Sequence, residues 1–221
     1  MSLLEFARGP AFHVAIVIFT FGIVWRLAGI FLLPRTADRS PARRGGLIGG
    51  GMHSMVMRSL PPHELEKNIV FQHASGYAWH LAYFAAFLLF GPHMPFIRQF
   101  LGFTWPTLPN TWALALAAIA LALLLVLLIR RIVNPVLKVI TSVDDYVSSI
   151  VTMLPLITGI SASAHLQLFG VRYEELLGLH VLSVCALLIW FPFGKLMHLF
   201  LTFPARFQAG VLLQRKGVEE A

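Results

Sequence analysis

Two histidines near the C-terminus have the spacing of ligands that share one face of a helix. His180 and His198 are 18 residues apart in an apolar stretch that runs from 176 to 206. At about 100° per residue, a helix makes five turns over that interval and rises roughly 27 Å. This rise is close to the ~30 Å hydrocarbon core of a bilayer. Two imidazoles, one near each membrane surface, are what a pair of stacked haems requires from one helix.

The composition places these histidines in a membrane protein. Of 221 residues, 57% are hydrophobic and 12% are charged, and the mean hydropathy is +0.76, which excludes an ordinary soluble globular domain. Cys185 is the single cysteine, so a disulfide framework, a thiolate cluster and covalent haem attachment are excluded. The net charge of +7 comes from basic residues that flank apolar runs, which favours topology over a nucleic-acid partner.

Five apolar runs predict an all-α, five-helix transmembrane bundle that forms one domain over residues 1–221. The runs cover 11–33, 66–91, 111–130, 144–166 and 175–201. Thirteen of the 17 lysines and arginines fall in the connections and tail on one side. The positive-inside rule therefore predicts an external N-terminus, a cytoplasmic loop over 34–65 and a cytoplasmic tail over 202–221. We expect the cytoplasmic membrane of a bacterial or archaeal type of cell, with lipid as a direct partner.

The connections carry weaker signals. The glycine-rich middle of 34–65 is typical of a flexible loop, although its 52–57 patch, MHSMVM, would also suit docking of a partner. Pro61 and Pro62 are expected to open the second helix. Ser142 and Asp145 have the spacing of a capping box at the start of the fourth helix. The third run has no polar residue inside it and predicts a lipid-facing wall.

The remaining histidines supply candidates for partners of His180 and His198. His80 lies well inside the second apolar run, where an ionisable side chain is a functional candidate. Because the second helix runs outward and the fifth inward, His198 should meet the lower histidine of the second helix and His180 the upper one. The lower ligand is His80 or His73, which share a face. The upper one is His93, with His165 of the fourth helix as a substitute.

The stretch from His180 to His198 resembles the last helix of a known family. A histidine, 17 intervening residues and a second histidine preceded by a Pro-Phe-small-basic motif occur in the cytochrome b (gamma) subunit of respiratory nitrate reductases. They occur also in the membrane subunits of heterodisulfide-reductase-like and sulfur-metabolising complexes. Asp144-Asp145-Tyr146 and Thr158-Gly159 look more like this second branch. The motif residues here are Pro192, Phe193, Gly194 and Lys195.

The resemblance implies two haems b, a membrane quinone as substrate and a cytoplasmic iron–sulfur subunit as partner. It assigns His80 with His198 to the inner haem. In the nitrate reductase subunit the second ligand lies ten residues further along, where this chain has Phe90. The resemblance to the sulfur-associated branch therefore assigns His93 with His180 to the outer haem. One alternative within this interpretation is a subunit with a single haem, held by His80 and His198.

Further residues are candidates for the cofactor or quinone sites. On the outer side, Arg98 and His165 are available to a quinone, although interfacial anchoring also explains Arg98. Near the inner haem, Lys195 and Arg206 would neutralise propionates, although the positive-inside rule also explains both. The alternative function is a haem-free transporter or assembly scaffold whose histidines line a proton path. The scarcity of acidic residues in the apolar runs argues against a transporter.

Overall fold

The computed structural model describes residues 1–32, 40–60, 66–165 and 171–218, and it contains only helices and connections in these ranges. The predicted helix start at Pro61 and Pro62 lies outside the described residues. The helices are α1 (Leu3–Phe6), joined through a π-helical turn (Ala7–Ala11) to α2 (Phe12–Leu32), α3 (Leu47–Met57), α4 (Glu66–Leu88), α5 (Met94–Leu101), α6 (Asn110–Val133), α7 (Pro135–Ile140), α8 (Val143–Ser163), α9 (Tyr173–Trp190) and α10 (His198–Lys216).

The predicted multi-pass, all-α membrane protein is confirmed. Five helical segments among the described residues are long and apolar enough to cross a membrane: Leu3–Leu32, Asn110–Val133, Val143–Ser163, Tyr173–Trp190 and Lys195–Lys216. These are not the five predicted runs, because α4 is absent from the set and the segment after Gly194 is included. Gln72, His73 and His80 dilute the apolar character of α4.

Helix α4 nevertheless lies along a spanning helix from end to end. At one end Arg130 of α6 donates to Gln72 Oε1 at 2.5 Å, and at the other the Leu108 amide donates to the Leu89 carbonyl at 2.8 Å. Between these ends, α4 packs against α6, with buried Ala82 and Ala120 in the contact. Small residues of this kind allow close approach of membrane helices. Helix α4 therefore occupies the same thickness as α6.

The main helices form a row in which each packs against the next. Helix α6 contacts both α4 and α8, and one residue of each of the three helices, Ala82, Ala120 and Leu156, joins a common buried cluster. Helix α8 contacts α9, and α9 contacts α1 and α2. Helix α6 packs through Ala113, Ala120 and Leu124, which are buried, while its large apolar side chains such as Ile119 and Val133 are exposed, so only part of its surface is available to lipid. Hydropathy cannot reveal this, since alanine and leucine suit both lipid and a helix interface.

The predicted continuous helix over 175–201 is wrong. Helix α9 ends at Trp190, a turn follows, and after a 3-10 turn at Lys195–Met197 the chain becomes α-helical again at His198. Pro192 lacks a backbone N–H and cannot continue the helical hydrogen bonds, and the backbone becomes extended at Gly194 (φ −95°, ψ −176°), so the interruption falls between α9 and the 3-10 turn. His180 and His198 therefore do not lie on one straight helix.

The predicted flexible loop in the glycine-rich segment is also wrong. Residues Leu47–Met57 form α3, which packs along α10. A Cβ atom at Gly51 would lie 2.5 Å from the Phe207 ring, and one at Gly210 would lie 2.4 Å from the Gly50 carbonyl oxygen. The glycines permit close approach of two helices instead of producing flexibility. Likewise, the predicted tail over 202–221 is mostly the body of α10.

Candidate functional site

The first histidine pair joins the middle of α4 to the start of α10. The ring centres of His80 and His198 are 5.8 Å apart, with the ring planes at 84°. Nδ1 of His80 donates to the Gly76 carbonyl at 2.6 Å, and Nδ1 of His198 donates to the Lys195 carbonyl at 2.8 Å. A carbonyl oxygen only accepts, so Nδ1 carries the hydrogen and Nε2 keeps a lone pair for another partner.

The second pair joins the turn after α4 to α9. The ring centres of His93 and His180 are 6.2 Å apart and the rings are nearly parallel, at 5°. Nδ1 of His93 donates to the Phe87 carbonyl at 2.9 Å. Burial lowers the pKa of His93, while the hydrogen bond to Phe87 opposes that shift. His93 is therefore neutral at pH 7 and able to bind a metal through Nε2.

His180 is held by side chains of α8. Its Nδ1 lies 3.2 Å from the Thr158 hydroxyl oxygen, and that hydroxyl donates its own hydrogen to the Leu154 carbonyl at 2.7 Å. The Thr158 oxygen is thus an acceptor for the His180 N–H, which again leaves Nε2 available. A Cβ atom at Gly159 would lie 3.0 Å from the His180 ring. Glycine at this position gives the imidazole its space.

The separation within each pair suits two ligands of one metal atom. Two imidazoles that bind the same metal through bonds of about 2 Å would have ring centres about 6 Å apart. The observed distances are 5.8 Å and 6.2 Å. Among the described residues, no three or more His, Cys, Asp or Glu side chains form a site for a bare metal ion. Two histidines without a third ligand suit haem iron, because the porphyrin supplies the other four nitrogens.

The histidines meet across a gap between helices. Within the described part of the chain, α4 packs along α6 and α9 packs along α8, α1 and α2, but α4 and α9 do not pack side by side. Helices in direct contact lie about 8–10 Å apart. The two histidine pairs therefore bridge helices that are held apart, and this spacing leaves room for a flat group between them.

Aromatic residues cover the side of α4 that carries its histidine. His73, Tyr77, His80, Phe84 and Phe87 recur every three or four residues and so share one face. The side chains of Phe84 and Phe87 are 38% and 41% exposed, and Phe87 stacks near His93 with ring centres 5.4 Å apart. The opposite face packs on α6. An open aromatic surface thus extends from one histidine pair to the other.

The other predicted histidines lie outside these pairs. His73 donates from Nδ1 to the Ile69 carbonyl at 3.3 Å and contacts Tyr77; it is one turn or more from His80 and is not paired with His198. His165 is exposed at the end of α8, with a left-handed backbone (φ 49°) and its ring 5.1 Å from the Tyr173 ring. Its ring contacts Tyr173, whereas the ring that His180 meets is that of His93.

The predicted basic residues are bonded to protein groups. Lys195 Nζ lies 2.5 Å from Asp145 Oδ2, and Arg206 donates to Ser59 Oγ at 2.6 Å. Arg98 is exposed on α5. The predicted roles of these residues toward propionates or a quinone remain predictions.

Sequence reasoning missed two groups of residues around the histidines. The hydrogen bond from His180 to Thr158 was not predicted, although the Thr158-Gly159 pair was noticed as a feature shared with related proteins. The capping box of Ser142 and Asp145 is confirmed, but the contacts of that aspartate with other helices were not expected. Both groups join helices that are distant in sequence, and spacing along one helix cannot show such contacts.

Comparison with known proteins gives little functional information. No family model and no solved structure matches the chain. A protein of Nitratidesulfovibrio vulgaris (strain Hildenborough), recorded only as "Protein", is 25% identical over 212 residues, which cover 93% of this chain and 91% of that one. The chain is thus similar to it over nearly the full length of both, and its name states no activity.

Proposed function

We propose that this chain is a membrane cytochrome b subunit that passes electrons between a membrane quinone and a cytoplasmic iron–sulfur partner. The observation that carries the proposal is the pair of histidine couples bridging separated helices, at 5.8 Å and 6.2 Å between ring centres. His80 and His198 would hold one haem b, and His93 and His180 the other. The likeness of the 180–198 stretch to known cytochrome b subunits supports the same assignment.

Two haems held by these histidines would supply one-electron transfer through most of the bilayer thickness. The contribution of the protein is to hold and shield them. Hydrogen bonds from Nδ1 fix the tautomer and direction of each imidazole, as the outer partners of metal-bound histidines do elsewhere. Phe84 and Phe87 provide an apolar surface beside the histidines, which keeps water from the space between the pairs.

The proposed orientation of the chain in the membrane follows from the position of its basic residues. The basic end of the bundle contains Arg130, Arg131 and Lys195, and the positive-inside rule assigns it to the cytoplasm. His198 is the exposed member of its pair and lies at this end. Further along α10, α3 packs on Phe207 and Gly210 and presents Met52 and Val56, which are 53% and 60% exposed. These apolar side chains offer a contact for the iron–sulfur partner.

The proposed quinone region lies at the opposite end. His165 and Tyr173 form an exposed polar and aromatic pair there, on the same side as His93. A quinol gives up protons with its electrons, so a polar group open to the outer side suits its oxidation.

Reduction by a quinol tests the function. We expect a soluble short-chain quinol to reduce the purified, oxidised protein and to produce a b-type α band, and His165→Phe to slow that reaction. His73→Phe, on the aromatic face of α4, is the matched control and should leave the rate unchanged. If dithionite produces the α band and none of the quinols tested does, that result would contradict the quinone role. The absence of any b-type band would contradict the proposed function as a whole.

A further inference from the structure

Asp145 joins two helices and a turn at the basic end of the bundle. It is 9% exposed, and its Oδ2 accepts from the Ser142 amide at 2.9 Å and contacts Lys195 Nζ at 2.5 Å. Its Oδ1 lies 3.1 Å from Arg131 Nη1. The carboxylate thus connects the start of α8, the end of α6 and the turn between α9 and α10. Lys195 and Arg131 are 51% and 29% exposed, so the buried charge of these ion pairs is that of Asp145.

Asp144 holds the backbone of the same turn. Its Oδ1 accepts from the Lys195 amide at 3.2 Å and from Ser148 Oγ at 2.8 Å. Trp190 donates from Nε1 to the same Ser148 hydroxyl at 3.0 Å. These bonds fix both ends of the segment between α9 and the 3-10 turn.

Gly194 is required by this arrangement. A Cβ atom there would lie 2.4 Å from Trp190 Nε1 and 2.9 Å from Asp144 Oδ1. No side chain fits at that distance, so the small residue of the Pro-Phe-Gly-Lys motif is explained by the approach of Asp144 and Trp190. The Pro-Phe-Gly-Lys motif and the aspartate pair of α8 therefore contact each other directly.

The turn ends on the histidine of the inner pair. The Lys195 carbonyl accepts from Nδ1 of His198 at 2.8 Å. Lys195, which is bonded to both aspartates, therefore also orients the His198 imidazole. From this geometry we infer that Asp144 and Asp145 are positioning residues for His198, acting through Lys195. The inference rests on the proposed function where His198 is concerned as a haem ligand.

Helix capping alone does not explain these contacts. The capping box requires Ser142 and Asp145 only. It does not account for the bond between Asp144 and the Lys195 amide, or for the ion pairs of Asp145 with Lys195 and Arg131. Those groups belong to α6 and to the turn before α10.

The first test compares the two haem sites in one protein. We expect Asp145→Asn to weaken haem retention about 10–100-fold at the His80–His198 site, as loss of an outer partner of a metal ligand does. The spectral signal of the haem at that site is identified as the one that His198→Ala removes. The signal that His180→Ala removes should stay unchanged, and Asp145→Glu should restore part of the loss.

Two further variants guard against a purely structural effect. Lys195→Met keeps the Asp145–Arg131 ion pair and should weaken the same site, even if Asp145→Asn fails to fold. Glu175→Gln, which breaks the exposed ion pair with Arg172 at the other end of α9, should change neither site. Unchanged spectra, potentials and haem content in Asp145→Asn would overturn the inference while leaving the proposed function intact.

A second test needs no haem. In a Cys185→Ser background, a His80→Cys, His198→Cys pair should be joined by a short bis-maleimide, which adds one cysteine thiol at each end, and adding Asp145→Asn should abolish that cross-link. Glu175→Gln should preserve it. A cross-link that persists in Asp145→Asn would overturn the inference, and it would do so even if the wild-type protein bound no haem.

Discussion

At the residue scale, the four histidines differ in what holds Nδ1. Three donate to backbone carbonyls, at Gly76, Phe87 and Lys195. His180 instead lies against the Thr158 hydroxyl, which is also 3.0 Å from Ser183 Oγ, and the Pro155 carbonyl is a further acceptor for its ring. A side-chain partner can be removed by mutation without changing the backbone, so this site is the one where the orienting bond is directly testable.

We expect Thr158→Val to weaken haem binding at the His93–His180 site by about tenfold, because the imidazole loses its hydroxyl acceptor. Thr158→Ser should behave like the wild type. Titration of haem into the apoprotein measures the change, and Thr20→Val, at an exposed position of α2, is the control. Equal affinity of Thr158→Val and wild type would show that the hydroxyl does not orient His180.

Spacing and helix direction predicted which ends of the helices meet but left His80 or His73, and His93 or His165, as alternatives, and the family resemblance was needed to choose between them. His80 with His198 and His93 with His180 come together as predicted, although the assumption of a straight helix was wrong. The prediction succeeded because two antiparallel segments fix which ends are neighbours, whatever happens between them. Thr158 and Asp145 could not be predicted as partners, since their contacts depend on the packing of α8 against α9 and on the turn after it.

At the element scale, the interruption between α9 and α10 places His198. Hydropathy shows one apolar stretch there, because proline is tolerated in membrane helices and the flanking residues are apolar. The signal for the break was Pro192 followed by Gly194. The glycine-rich segment was misjudged for a related reason, since glycine is common both in flexible linkers and at close helix contacts.

The contact between α3 and α10 gives a prediction at this scale. A side chain at Gly210 would overlap Gly50 and Ser54, so Gly210→Leu should separate the two helices and lower stability by about 1–3 kcal/mol, as overpacking does. Limited proteolysis of residues 40–60 should become faster. Gly49→Ala is the matched control, because nothing lies within 4 Å of a Cβ atom there. Equal proteolysis of Gly210→Leu and wild type would show that the close contact does not hold α3.

At the scale of the whole molecule, α6 and α8 stand between α4 and α9, which do not pack on each other within the described residues. Each helix in the row packs on its neighbour, and the histidine pairs connect elements that are not neighbours in the row. The distances between ring centres suit one iron atom within each pair, and this pairing of α4 and the turn after it with α10 and α9 is the arrangement that the haem proposal requires of the whole molecule.

Haem content tests the central proposal most directly. We expect the purified wild-type protein to contain two haems b per chain, measured from the dithionite-reduced spectrum and the protein concentration. His80→Ala and His198→Ala should each remove the same haem, and His93→Ala and His180→Ala should each remove the other. A wild-type protein that shows no b-type α band, or variants whose losses do not group into these pairs, would contradict the account.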